Sequence, residues 1–165
     1  MITLRPMTAL DAEVFRDVRL RALSDTPLAF GSTHAKESLC TPEEWAARAK
    51  KWGEGNDAIS FLAFDQDHCC GIIGCFKDEE KSSHACIVSM WVAAEARRQG
   101  VGAHLVKSVE EWARRHGFEQ LVLDVTDINT AAITFYQRLG FEFTGETKPY
   151  PNDPTLRELF MQKKL

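Results

Sequence analysis

The residues with the plainest chemistry lie in Arg97-Arg98-Gln99-Gly100-Val101-Gly102. A guanidinium presents planar donors that match the oxygens of a phosphate. Gly100 and Gly102 remove the side chains that would hold a phosphate away from the backbone. An apolar run from Ile87 to Val92 comes before them and reads as a buried strand. Val101, Leu105, Val109, Trp112 and Ala113 follow at helical spacing and define one apolar face. Gly117 stands where a left-handed C-cap favours a residue without Cβ, so the helix should run to about Arg115. The stretch is therefore strand, glycine turn, helix. The first amides of such a helix lack partners within it, and its dipole favours an anion by about 0.3–1 kcal/mol. Phosphate is the expected ligand.

Two familiar phosphate motifs fail here. The dinucleotide fingerprint needs a third glycine where this chain has Leu105, which removes a nicotinamide-dependent oxidoreductase. A P-loop would need Gly-Lys-Ser/Thr, and no such tripeptide follows. What remains, Arg97-x-x-Gly100-x-Gly102, resembles the acyl-CoA-binding signature Gln/Arg-x-x-Gly-x-Gly/Ala of the GCN5-related N-acetyltransferase (GNAT) superfamily. One further strand downstream, Asn129-Thr130-Ala131-Ala132-Ile133-Thr134-Phe135-Tyr136-Gln137-Arg138-Leu139-Gly140-Phe141 resembles the second signature, Asn-x-x-Ala-x-x-Phe-Tyr-x-x-x-Gly-Phe. The two stand in the family's order and spacing. The resemblance is close from about His84 to Phe143 and loose elsewhere.

The resemblance implies acetyl-CoA as co-substrate and a primary amine, on a small molecule or a peptide or protein, as acceptor. No metal is expected. Met90, Trp91 and Val92 match the strand that pairs with the pantetheine arm. Arg97, Arg98, Gln99, Gly100, Val101, Gly102 and Ala103 match the turn that takes the pyrophosphate. Asn129 matches a residue on the CoA arm, and its type and position also suit a helix N-cap. Tyr136 matches a tyrosine near the sulfur, where a phenol can protonate the leaving thiolate; read as packing, it is a core aromatic beside Phe135. Cys86 falls where several relatives carry a glutamate base. A buried thiol is a poor base, so His84, Glu37, His34 or a water chain are the alternatives, and transfer is expected to be direct, without an acyl-enzyme at Cys86. A different class of reading is a catalytically silent acyl-CoA-binding sensor or partner-binding module on the same fold. Retention of Tyr136 favours the enzyme.

Around these stretches the chain predicts a short strand over Ile2–Arg5. A helix is expected from a Thr8/Asp11 capping box, with Val14, Phe15, Val18 and Ala22 buried. Leu28 to Thr33 resembles the loop that enters the acceptor site in some members. Thr41-Pro42-Glu43-Glu44 starts a second helix, whose Trp45 and Trp52 are either core or pocket lining. Residues 53–57 read as a loop. Ile59–Phe64 and Cys70–Phe76 read as a hairpin, Leu121–Val125 as a strand and Asn129–Leu139 as a helix capped by Gly140. Glu142–Thr147 and Leu156–Gln162 read as two last strands, separated by the proline-rich Lys148–Pro154. The expected fold is α/β, the GNAT fold: a mixed, mostly antiparallel sheet of six or seven strands with helices on both faces, in one domain over residues 1–165.

The length of 165 residues suits one core, and 44% hydrophobic with 27% charged residues is ordinary for a globular domain. A net charge of −4 argues against a nucleic-acid partner. No apolar run reaches the ~20 residues of a membrane span and no leader-like segment opens the chain, so a cytoplasmic protein without a membrane partner is expected. The five cysteines have irregular spacing and no C-x-x-C pair, which points to reduced thiols rather than zinc or disulfides. A homodimer is common among relatives, and no interface follows from the sequence.

Overall fold

The computed structural model describes residues 1–53 and 55–165. Its elements in chain order are β1 (Ile2–Pro6), α1 (Ala12–Asp25), α2 (His34–Glu37), α3 (Pro42–Gly53), β2 (Ala58–Asp65), β3 (His68–Lys77), β4 (His84–Val92), α4 (Val101–Arg115), β5 (Gln120–Thr126), α5 (Thr130–Arg138), β6 (Glu142–Tyr150) and β7 (Asp153–Lys164). The expected loop at 53–57 includes residue 54, which lies outside the described residues.

The strands form one sheet in the order β1-β2-β3-β4-β5-β7-β6. Every neighbouring pair is antiparallel except β4 and β5, which are parallel. A parallel pair needs a crossover, and α4 supplies it. Leu105 of α4 reaches the position a side chain on Gly71 would fill, and Trp52 of α3 reaches that of Gly74. Gly71 and Gly74 point to opposite faces of β3, so helices cover both faces. The core includes Leu62, Ile72, Ile73, Leu105, Val109 and Leu121, each fully or almost fully buried.

Local chemistry sets the helix starts. Thr8 and Asp11 form the capping box, although the first turn is a 3₁₀ segment before α1 proper. Thr41 and Glu44 exchange backbone-to-side-chain bonds of 2.7 and 3.2 Å ahead of Pro42. Asn129 caps α5 by accepting from the Ala132 amide at 3.2 Å. Gly117 and Gly140 take positive φ of 77° and 89° just past α4 and α5, as a left-handed cap requires. Along α1, Phe15, Val18 and Ala22 are buried while Val14 is only half-buried, and Leu23 joins the buried face.

The last two strands are longer than expected. Lys148, Pro149 and Tyr150 continue β6, and Asp153 and Pro154 begin β7, leaving only Pro151 and Asn152 as the turn. β6 is an edge strand, so Pro149 interrupts no second ladder, and Pro154 stands at the start of its strand, where a missing N–H is tolerated.

Candidate active site

The site begins where β4 and β5 part. They pair at only three positions, His84 with Gln120, Ala85 with Leu121 and Cys86 with Val122. From Ile87 and Leu123 onward the strands diverge, while β4 stays paired to β3 and β5 to β7. A bulge adds to the divergence. Ile72 faces Trp91 and Gly74 faces Val88, so Ser89 and Met90 together stand opposite Ile73. Ser89 takes a φ of +56° there. The backbone groups of β4 that would have bonded β5 are left facing a cavity of about 840 Å³, and buried backbone groups of this kind call for a partner.

One wall of that cavity is the glycine turn and the first turn of α4: Arg97, Arg98, Gly100, Val101, Gly102 and Ala103 all line it. Gly100 is the N-cap, at φ +81°. The first intrahelical bond of α4 joins the His104 amide to the Gly100 carbonyl at 3.0 Å, so the amides of residues 101–103 have no partner inside the helix. The two glycines serve different ends. Gly100 is required by its backbone conformation. At Gly102 a Cβ would come within 3.1 Å of both Met90 Cε and Phe135 Cζ. Gly102 is therefore also set by the close packing of α4 on β4 and α5.

Met90, Trp91, Val92, Asn129 and Tyr136 also line the cavity. Gln99 does not; its side-chain amide folds back to donate to the Glu95 carbonyl at 2.8 Å. Tyr136 is 7% exposed, packed edge-on against Phe135 and Phe141. Burial, with the nearby Asp124 carboxylate, pushes its phenol well above the ordinary value, so it stays protonated at neutral pH.

None of the three base candidates taken from the sequence, His84, Glu37 and His34, is on the cavity wall, and neither is Cys86. Cys86 donates to Asp78 across 3.6 Å, and burial together with Asp78 pushes its thiol up to about 12. Glu37 is buried, with Arg19 at 2.8 and 3.0 Å and Arg48 at 3.2 Å. Burial opposes its charge, but the two guanidiniums outweigh that and hold it below the usual carboxylate range. His34 is exposed on α2, and His84 starts β4 in its paired part. Trp45 is 1% exposed against Phe15, and Trp52 lies edge-on to Phe76, so both are packing residues rather than pocket lining.

The cavity holds groups that motif reading missed. Arg19 lines it and donates to Ser89 Oγ of the bulge at 2.9 Å. On the far side from α4, Asp124, Thr126 and Glu158 line it. Thr126 pairs with Glu158, and Glu158 with Lys148, so these side chains share one face with Asp124. Lys148 Nζ lies 2.8 Å from Asp124 and 3.1 Å from Glu158. The residues come from β5, β6 and β7, and only strand register brings them together. The loop Ala29–Ser32 completes the rim. It is pinned from the β6–β7 turn, where Tyr150 Oη donates to the Phe30 carbonyl at 2.6 Å and Asn152 Nδ2 donates to it at 3.2 Å. The Thr126 hydroxyl donates to the Leu28 carbonyl.

Among the described residues no helix is long and apolar enough to cross a membrane. N-acetyltransferase 8 of Homo sapiens is 26% identical over 113 residues, covering 67% of this chain and 49% of that protein. Streptothricin acetyltransferase A of Bacillus subtilis (strain 168) is 33% identical over 107 residues, covering 64% of this chain and 61% of that protein. The chain thus spans about half the length of the human relative. In fold it superposes on the PaiA N-acetyltransferase of Thermoplasma acidophilum, solved in complex with coenzyme A, with a TM-score of 0.80, 18% identity and coverage of 100% of this chain and 99% of that one. The profile of the Acetyltransferase (GNAT) family matches residues 24–141, a span that runs from the end of α1 through the parted strands and α5, and the chain belongs to that family.

Proposed function

We propose that this chain is an N-acetyltransferase that moves the acetyl group of acetyl-CoA directly to a primary amine, and that residues 1–165 act as one domain. The observation that carries the reading is the parting of β4 from β5 after three paired positions, with the amides of the α4 N-terminus at one end of the gap. An amide-bearing arm laid along Met90–Val92 can satisfy the strand groups left facing the cavity. Arg97, Arg98 and the amides of residues 100–103 suit a pyrophosphate at the helix start. Gln99 contributes there by its place in the turn rather than by its side chain, which is engaged at Glu95. Asn129, on the cavity wall and capping α5, suits a contact to the arm.

Attack by a neutral amine on the thioester carbonyl gathers charge on the carbonyl oxygen. Backbone amides of the bulged β4 can stabilise it. The leaving thiolate then takes a proton, and Tyr136, protonated throughout the neutral range, is the donor. Acid–base groups on the cavity wall favour this enzyme over a silent acyl-CoA sensor, which would need none. The test is a panel of primary amines with acetyl-CoA, following free thiol. Thiol release that requires both the protein and an added amine is expected. Tight acetyl-CoA binding with no amine-dependent release would support the sensor.

A further inference from the structure

Transfer to an alkylamine needs a proton acceptor, because the amine arrives as an ammonium. Cys86, Glu37, His34 and His84 are off the cavity, as described above. Glu158 is different. It lines the cavity, is 7% exposed, and its buried Oε2 has no hydrogen-bond partner among the described residues. Lys148 stands 3.1 Å from that oxygen, out of line for a hydrogen bond, and spends its aligned bond on Asp124 at 2.8 Å. Two carboxylates thus share one lysine, which leaves a net negative charge facing the cavity. A buried carboxylate whose only cation is shared with a second carboxylate, and whose oxygen has no aligned donor, is under-compensated, and an acceptor ammonium supplies a second cation and an aligned N–H.

Resting on the transferase reading above, we propose that Glu158 is the catalytic base: it takes the proton from the acceptor ammonium, while Asp124 helps to receive the cation. In this step an N–H bond of the ammonium breaks and the proton passes to Glu158. The freed nitrogen pair attacks the thioester carbonyl carbon, and the C–S bond breaks. Tyr136 protonates the thiolate and is reprotonated by the nitrogen's remaining extra proton, and the proton on Glu158 passes to solvent, so the products are an amide, a free thiol and one released proton. The charged groups facing Glu158 from its neighbouring strands are Asp124 on β5 and Lys148 on β6. Burial and Asp124 raise the Glu158 carboxyl above its ordinary value, and Lys148 opposes them. A base closer to neutrality is the better proton acceptor.

The experiment compares wild-type protein with Glu158→Gln and Lys148→Met, using two probe acceptors at saturating acetyl-CoA: cadaverine, an ammonium at neutral pH, and O-methylhydroxylamine, which is already neutral there. Acetyl-CoA binding is measured separately by calorimetry. Glu158→Gln should lower kcat for cadaverine by roughly 10²–10⁴-fold, keep kcat for O-methylhydroxylamine within a few-fold, and bind acetyl-CoA as wild type does. Lys148→Met removes the charge that favours ionised Glu158, so the acidic limb of kcat/KM for cadaverine should move to higher pH. Lys148 is exposed, so this variant reads the base even if Glu158→Gln folds poorly. Equal loss with both acceptors, an unmoved acidic limb, or wild-type protein that binds acetyl-CoA but acetylates neither probe overturns the assignment of Glu158. Wild-type protein that does not bind acetyl-CoA overturns the transferase reading beneath it.

Discussion

The Arg97 guanidinium is ion-paired with the Asp25 carboxylate, and the same Asp25 oxygen accepts the Trp91 indole N–H at 2.9 Å. The last residue of α1, the end of β4 and the glycine turn therefore meet at one carboxylate. Arg97 Nε also holds the Val92 carbonyl at 2.8 Å. A phosphate arriving at α4 competes with Asp25 for the Arg97 guanidinium. The exchange is favourable, because a half-exposed ion pair contributes about 0.2–1 kcal/mol and a guanidinium–phosphate hydrogen bond about 1.5–3 kcal/mol. Arg97→Ala should raise the KM for acetyl-CoA roughly tenfold and leave kcat nearly unchanged, the pattern of lost uniform binding. Steady-state kinetics check this, with a phosphate-free acetyl-pantetheine donor as control. That donor should be indifferent to the substitution.

Tyr136→Phe keeps the ring between Phe135 and Phe141 and removes only the hydroxyl. The kcat should fall by up to the ~10²–10⁴-fold of an acid–base group, less if the thiolate departs readily unaided, with little change in donor KM. Because burial and Asp124 raise the phenol above its ordinary value, the wild-type profile should show no loss of activity from this group below about pH 10. A pH–rate series on both proteins tests both statements.

Gly100→Ala puts a Cβ on a residue at φ +81°, where its nearest neighbour, His104 Cε1 at 3.8 Å, is at ordinary contact distance. The cost is backbone strain, about 1–2 kcal/mol, which should lower Tm by roughly 2–8 °C. Gly117→Ala, at φ +77° with nothing within 4 Å of the new Cβ, should cost a similar amount and leave acetyl-CoA affinity unchanged, which separates strain at the turn from any effect on phosphate. Thermal melts with and without acetyl-CoA make the comparison.

Acid stability should carry a mark from Asp11. The Arg5 guanidinium at 2.7 and 2.8 Å, against the opposing effect of burial, holds its carboxyl at about 2. A carboxyl lowered in the folded state contributes stability above its unfolded value near 4, lost as pH falls from there through about 2. The contribution is of order 2 kcal/mol. Asp11→Asn should therefore destabilise the protein at pH 7 and flatten the fall in stability between about pH 4 and 2, as read by urea melts across pH.

How much of this was written in the sequence differs by element. Local signals were sufficient for β4 and α4, since the apolar run, the turn glycines and the 3.6 period all act within one segment. The caps at Thr8, Thr41 and Asn129 were legible for the same reason. The lengths of β6 and β7 were not, because whether Pro149 tolerates a strand depends on its being at the sheet edge, a fact of strand order. The Asp124–Lys148–Glu158 group was hidden for a related reason: three residues spread over β5, β6 and β7 meet only through register. Glu37 misled as a base candidate because nothing local to it announces Arg19 and Arg48.

The central claim is that the gap between β4 and β5 takes acyl-CoA, with its phosphates at the start of α4. The most direct measurement is residue-resolved amide hydrogen exchange with and without acetyl-CoA. The account predicts slowed exchange within Met90–Val92, at the amides not bonded to β3, and at residues 101–103, whose amides have no partner inside α4. Protection confined to other segments, or none at saturating acetyl-CoA, would contradict it.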